Sequence, residues 1–428
     1  MTEAMILLSM FLMIAIGLPI ALSILASALI GVWLLNGHLG FLNAALSIYD
    51  GATSFPLIAI PLFILAGALM NTGGISARLI AFVSALIGFV RGGLAMVNVG
   101  VSMFFAEISG SAVADVAATG SVLIPAMKKK GYTPRFAAAI TSSSASLAII
   151  IPPSIPMILY GALSDTSIVK LFVAGIVPGI VGGFLLMSLS YYFAARYDLP
   201  REDSFSLCRL WQTTKDASWA LVLPVIILGG IFGGIVTATE GAALAVLAAL
   251  VIGLFIYREL DLKRLYHALV DGVLQTSTVM LLVATSAVLG LYLTETELPQ
   301  RLAQGITTIT TNKLAVLMII NVFLLFVGMV LHGAAAIILT VPIFMPLVNQ
   351  IGIDPIQFGI LLTLNIALGQ QTPPVASVLV TACSIAKTDV WGTTKTNLPF
   401  IGVLVAVLLL VTYVPAFPLW LVGVFYGP

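Results

Sequence analysis

The groups in this sequence that could do chemistry are neutral oxygens and amides placed beside prolines. Ser109-Gly110-Ser111 interrupts an apolar run. Thr141, Ser142, Ser143, Ser144 and Ser146 precede Pro152-Pro153, and Asn365, Gln370, Gln371 and Thr372 precede Pro373-Pro374. Hydroxyls, amides and the carbonyls of unwound helix suit a desolvated Na⁺, and the N–H groups at a half-helix N-terminus suit an anionic group. Ionisable residues within the apolar runs are few. Glu107 and Asp115 flank the Ser109–Ser111 interruption, and His332 sits in a later one, Leu331-His332-Gly333. Each would cost about 3 kcal/mol at the centre of an isolated membrane helix, so a functional role is the default reading. Plainer readings stand beside it. Glu107 and Asp115 could pair within their own segment. His332 could carry a proton, donate to a substrate or satisfy a local carbonyl. Glu240, three residues after Thr237, has capping-box spacing, and Arg135 reads as an anchor at the cytoplasmic surface. The sequence carries no ATP-binding motif, redox-centre motif or nucleophile triad, so it does not read as an enzyme. Cys208 and Cys383 form neither a metal nor a disulfide pattern.

The elements that must position these groups are duplicated. Thr119, Pro125, Gly131, Pro134, Pro152 and Pro153 recur 221 positions on as Thr340, Pro346, Gly352, Pro355, Pro373 and Pro374. Backbone-special residues coincide while side chains drift, the mark of a duplicated fold. The loop inside the first copy reads KKKGYTPR and that inside the second NQIGIDPI. Basic loops stay on the cytoplasmic side. The two copies are therefore expected to lie upside down relative to each other, as in many secondary transporters.

Composition places the duplication in a membrane. Hydrophobic residues make up 60% of the 428 positions, charged residues 8%, and the mean hydropathy is +1.16, whereas an average soluble chain is about a quarter charged. Long apolar stretches without alternation predict helices rather than a barrel. A net charge of +1 gives no case for nucleic acid as a partner. The first 35 residues lack a basic leader region and read as one membrane helix bent near Gly17 and Pro19. Each repeat is expected to hold a re-entrant helical hairpin and a broken helix. Arms of about 15 residues span about 22 Å, short of the roughly 30 Å hydrocarbon core. The first repeat covers 1–195, with its hairpin at about 94–127 and its broken helix at about 133–163. A cytoplasmic linker covers 196–216. The second repeat covers 217–428, with its hairpin at about 312–348 and its broken helix at about 354–386. Residues 74–90 could cross the bilayer or lie at its surface; the matching ELPQRLAQGITTIT is too polar to cross, so symmetry favours an arm helix at the membrane surface in both copies, and 397–426 is expected as a final membrane helix.

These residues resemble a known family. SGSAVADVAATGSVLIPAMKKKGYTP with IIPPSIPMILYG, then AGIVPG, TATEGAA, GIDPIQFG and TPPV, is similar to the large membrane subunit of TRAP (tripartite ATP-independent periplasmic) transporters over essentially the whole chain. The resemblance implies an elevator-type permease of the bacterial inner membrane. It implies Na⁺-coupled import of an organic acid such as a dicarboxylate, sialic acid or another sugar acid, with no cofactor beyond the coupling ion. It implies two partners, a small membrane subunit of about four helices and a periplasmic substrate-binding protein. Carried onto this sequence, it implies Na⁺ binding at Ser109, Gly110 and Ser111 with Ile149 and Pro152. A second Na⁺ site would use Leu331, His332 and Gly333 with Gln370, Thr372 and Pro373. Ser144, Ser146, Asn365 and Gln371 would serve the substrate. The chain departs from the family pattern at His332-Gly333-Ala334 and at Gln370-Gln371, where substrate choice is expected to lie. A stand-alone Na⁺–carboxylate symporter of the same superfamily is the alternative reading, and a passive channel a more distant one.

Overall fold

Prolines, glycines and capping side chains divide the apolar chain into 21 α-helices, with no strand among the described residues. The computed structural model describes residues 2–199, 205–310 and 312–427, apart from the side chains of residues 2, 4, 107–109, 307 and 309. Those of Glu107 and Ser109, singled out above, therefore lie outside the described residues. Among the described residues, eight helical stretches are long and apolar enough to cross a membrane, or nine if one bent pair counts as a span.

The chain opens with α1 (Thr2–Ala15) and α2 (Ile20–Asn36). They form a helical hairpin rather than the single bent helix expected. Gly17 takes φ +92° and Pro19 lacks an N–H, so the chain reverses there. Ser9 Oγ consequently lies 3.4 Å from Ser27 Oγ. α3 (Gly40–Thr53) and α4 (Ala59–Thr72) follow, then the short α5 (Ile75–Ile87).

The first repeat continues as a hairpin, α6 (Gly93–Ser109) and α7 (Ala112–Lys129). Its broken helix is α8 (Pro134–Ala145), a 3₁₀ turn at Ser146–Ile149 and α9 (Ile155–Ser164). α10 (Ile168–Arg196) then runs about 43 Å. The polar linker contains a helix that composition alone did not reveal, α11 (Leu207–Asp216), which packs on α5.

α12 (Ser218–Phe232) and α13 (Ala238–Val251) come next. Thr237 and Glu240 close the capping box at the head of α13: the Thr237 N–H donates to Glu240 at 2.8 Å and the Glu240 N–H to Thr237 Oγ1 at 3.2 Å. α14 (Leu262–Glu295) is the longest helix, and the amphipathic α15 (Leu298–Ile309) follows it. With 13 and 12 residues, or about 20 and 18 Å, α5 and α15 are too short to cross.

The second hairpin is α16 (Lys313–Val330) and α17 (Gly333–Ile351), and the second broken helix is α18 (Pro355–Gly369) and α19 (Ser377–Ala386). The hairpin arms hold 17 to 19 residues, longer than the 15 expected. The last span also differs from the expected 397–426. It is α20 (Val390–Tyr413), ended ahead of Pro415 and followed by α21 (Ala416–Tyr426).

Local chemistry explains why the two broken helices match. Each starts with a capping side chain followed by proline at the first helical position, where a missing N–H costs nothing. Thr133 Oγ1 accepts from Phe136 N at 3.2 Å, and Asp354 Oδ1 accepts from Ile356 N at 2.7 Å. Each stops where a diproline, joined by a cis peptide bond, removes two donors. The broken helices form the centre of the molecule, with every residue of α8 from Phe136 and of α18 from Gln357 buried. α14 lies to one side, packed on α2, α3 and α4, with α13 against α4. This second group meets the hairpins mainly where α14 and α15 touch α17 and where α4 and α5 touch α6.

Candidate functional site

Side-chain bonds at the two ends of the bundle fix how the hairpins are inserted. Lys128 Nζ, at the base of the first hairpin, donates to the Ala386 carbonyl where α19 ends, at 2.9 Å. Nearby, the Arg135 guanidinium pairs with Asp389 Oδ1 at 2.7 Å, so Arg135 is an ion-pair partner rather than only a surface anchor. At the base of the second hairpin, Lys313 Nζ donates to the Gly352 carbonyl at 2.6 Å, and Tyr160 Oη, near the end of α9, donates to the Pro355 carbonyl at 2.6 Å. The α8–α9 element thus begins beside one hairpin base and finishes beside the other. The hairpins open at opposite ends of the bundle, and their tips meet in its middle. Ser146 donates to the carbonyl of Ala367, its own counterpart 221 residues on, at 3.4 Å, which marks the pseudo-symmetry axis where the broken helices cross.

The tips sit against the breaks. Gly110 takes φ +55°, and a Cβ there would stand 3.0 Å from Ile155 N and 3.2 Å from the Pro153 carbonyl. In the second repeat, Val375 N donates to the Met329 carbonyl at 3.3 Å. Between the tips lies a cavity of about 330 Å³. Ser111 to Ala114 line it at the start of α7, His332 to Ala334 at the start of α17, and Ile155 and Pro156 at the start of α9. Ile149 and Gln370 contribute from the breaks, and Ile64, Gln275, Thr278, Val279 and Leu282 from α4 and α14.

Three helix N-termini therefore face one space. Each carries N–H groups without intrahelical partners and about half a positive charge. Among the described residues no Asp, Glu, Lys or Arg lines the cavity, and the one ionisable side chain they give its wall is His332, the N-cap residue of α17, which is exposed to it. Such a site attracts a small anion through backbone dipoles rather than through a fixed cationic side chain.

The residues singled out in the sequence divide into two groups. Gly110, Ser111, Ile149, His332, Gly333 and Gln370 line the cavity. Leu331 is buried beside it. Pro152 lines a separate apolar crevice between α5, α6 and α10. Thr372 Oγ1 donates to the Leu368 carbonyl at 2.9 Å, and Pro373 lies in the cis diproline.

Ser144, Ser146, Asn365 and Gln371 are wholly buried and off the cavity, in networks that hold helices together. Ser144 donates to Asn98 Oδ1 at 3.0 Å, and Asn98 Nδ2 to Thr141 Oγ1 at 2.6 Å. The second repeat mirrors this: Asn365 donates to Asn321 Oδ1 at 2.8 Å, and Asn321 to Thr412 Oγ1 at 2.9 Å. In both repeats an Asn on the first hairpin arm is thus bonded to equivalent position 144 or 365 of the broken helix. A third cluster bridges the repeats. The Ser143 hydroxyl lies 2.7 Å from both Gln371 Oε1 and Asn397 Oδ1, and Asn397 Nδ2 donates to Gln371 Oε1 at 3.1 Å. Asn98, Asn321, Asn397 and Gln275 escaped sequence reasoning, and the one available signal was an amide inside an apolar helix. Asp115 is buried in the first turn of α7, where the helix dipole favours a carboxylate.

Comparison with known proteins agrees with this architecture. Residues 7–417 match the family described as the DctM component of the tripartite ATP-independent periplasmic transporter. The chain is 40% identical over 413 residues to the isethionate TRAP transporter permease protein DctMQ of Oleidesulfovibrio alaskensis, covering 96% of this chain and 65% of that one. It therefore spans slightly less than two thirds of that relative. It is 39% identical over 403 residues to the 2,3-diketo-L-gulonate TRAP transporter large permease protein YiaN of Escherichia coli, covering 94% of each. The crystal structure of the Alcanivorax borkumensis YdaH transporter superposes with a TM-score of 0.65 over 95% of this chain and 97% of that one, at 15% identity. That likeness concerns the fold alone.

Proposed function

The chain belongs to the DctM family of tripartite ATP-independent periplasmic transporters, and on that premise we propose that it imports a small organic anion across the bacterial inner membrane, driven by Na⁺. The observation that carries this reading is the convergence of three helix N-termini on one cavity whose wall, among the described residues, holds no Asp, Glu, Lys or Arg. The relatives named above are permeases for isethionate and for 2,3-diketo-L-gulonate, both organic anions. The turns at 150–154 and 370–376 lie beside the tips and hold carbonyls released from helical pairing, the kind of group that replaces water around Na⁺. On this reading Ser109–Ser111 with the first break, and Leu331–Gly333 with the second, bind the coupling ions. The body made of two hairpins and two broken helices slides against α2, α3, α4, α13 and α14. A small membrane subunit and a periplasmic binding protein complete the system, the latter delivering the solute.

Cysteine accessibility tests the location of the site. In a Cys208→Ser background, which removes the exposed native thiol, Ala334→Cys places a thiol in the cavity wall. Modification by a charged thiol reagent should slow severalfold when Na⁺ and the transported anion are both present. Equal modification with and without them would overturn the assignment of this cavity.

A further inference from the structure

The cavity has two walls of different character. One is made of the hairpin tips and breaks, where the anion-attracting N–H groups lie. The other belongs to α14, which packs on α2, α3 and α4. Val279 and Leu282 make it apolar at two of its four α14 positions, Thr278 adds a hydroxyl, and the long polar side chain is Gln275. This residue is the fourteenth of 34 in α14, about 20 Å along the helix. Its side chain is exposed to the cavity, and its amide has no hydrogen-bond partner among the described residues. Its neighbour Thr278 has already committed its hydroxyl to the Leu274 carbonyl at 3.0 Å. Gln275 is thus the side chain on that wall with both a donor and an acceptor to offer. Polar groups at membrane depth survive where they are buried in protein or face a polar cavity.

We infer that Gln275 is a specificity-determining residue, whose amide reads an uncharged oxygen at the end of the solute remote from its anionic group. The inference rests on the proposed reading of this cavity and adds the class of solute to it. The N–H groups of the tip wall account for charge. An amide discriminates by hydrogen bonding to hydroxyl or keto oxygens, so the geometry selects a two-ended solute, an organic anion with at least one such oxygen. A site that hydrogen-bonds a hydroxyl also rejects the analogue lacking it.

Binding measured on the purified chain in Na⁺-containing detergent solution tests this without the selectivity of a delivering protein. Three pairs of anions differ by hydroxyls alone: malate and succinate, isethionate and ethanesulfonate, gluconate and hexanoate. The wild type should favour the hydroxylated member of at least one pair by about tenfold, the equivalent of one hydrogen bond. Gln275→Leu should bring that ratio to about one, and Gln275→Asn should restore part of it. An unchanged melting temperature of each ligand-free variant verifies its fold. A ratio that persists in Gln275→Leu, or no discrimination by the wild type, overturns the inference. Ala114→Phe, which fills the cavity from α7, separates the two claims. If it leaves binding intact, the cavity reading fails. If it abolishes binding while Gln275→Leu keeps its preference, only the role of Gln275 fails. Failure of every probe to bind the wild type rejects both.

Discussion

Gly369→Ala probes the joint between the second hairpin and the second break. Gly369 is the last residue of α18, and a Cβ there would lie 2.4 Å from the carbonyl carbon of Gly328, 2.5 Å from its Cα and 2.8 Å from Met329 N. All three are backbone atoms of α16, so none can rotate aside. Reaching ordinary contact, beyond 3.4 Å, requires α16 to withdraw by about 1 Å, a shift that weakens the bond from Val375 N to the Met329 carbonyl. Overpacking of this kind costs about 1–3 kcal/mol, and the higher helix propensity of alanine returns less than about 1 kcal/mol at a helix end. A net loss of about 2 kcal/mol lowers the folding equilibrium constant roughly 30-fold. Gly402→Ala is the control, because nothing lies within 4 Å of its added Cβ. Thermal unfolding in detergent should show Gly369→Ala melting below the wild type and Gly402→Ala at or above it. Uptake by Gly369→Ala should fall as well, since the displaced arm carries the His332 tip. A Gly369→Ala protein as stable as Gly402→Ala would refute the close approach of arm and break.

Two further predictions concern contacts that join the repeats. The Asp389 carboxyl is held below its ordinary range, first by the hydrogen bond from Arg135 and then by the Gly392 N–H. A group whose folded pKa is lowered contributes stability that is complete at neutral pH and disappears as pH falls from about 4 through the folded value. Between pH 7 and pH 3 the wild-type melting temperature should therefore fall further than that of Asp389→Asn; parallel curves would show that the pair contributes nothing. Asn397→Leu removes the amide that meets both Ser143 and Gln371 in a wholly buried cluster and should cost about 2 kcal/mol. Because the three groups form one network, Ser143→Ala combined with Asn397→Leu should cost less than the sum of the single changes, as read from denaturant midpoints.

Backbone chemistry made much of this fold legible in the sequence. Prolines at 134, 152, 153, 355, 373 and 374 act locally, by lacking a donor and fixing φ, so they announced the two broken helices. Reversal at the first turn was not legible, because Gly17 and Pro19 permit a bend as readily as a hairpin, and packing of Ile6 and Met10 into the core decides between them. Within the site, the tips and the Gln370 break were legible as interruptions of apolar runs. The buried serines and amides were visible as polar residues, but their direction was not. Ser144 and Asn365 turn towards Asn98 and Asn321 because the hairpin arms press against that face of the broken helices. Gln275 escaped notice for the opposite reason. Its helix carries no break, and only the tertiary fold brings it opposite the tips.

On the proposed mechanism, Na⁺ and an organic anion share the space between the hairpin tips. The most direct measurement is uptake into proteoliposomes containing the chain with its membrane partner and binding protein, under an inward Na⁺ gradient and then with K⁺ in its place. Accumulation is expected with Na⁺ and none with K⁺, together with a raised Na⁺ requirement in Ser111→Ala. Accumulation that proceeds equally without Na⁺ would contradict it.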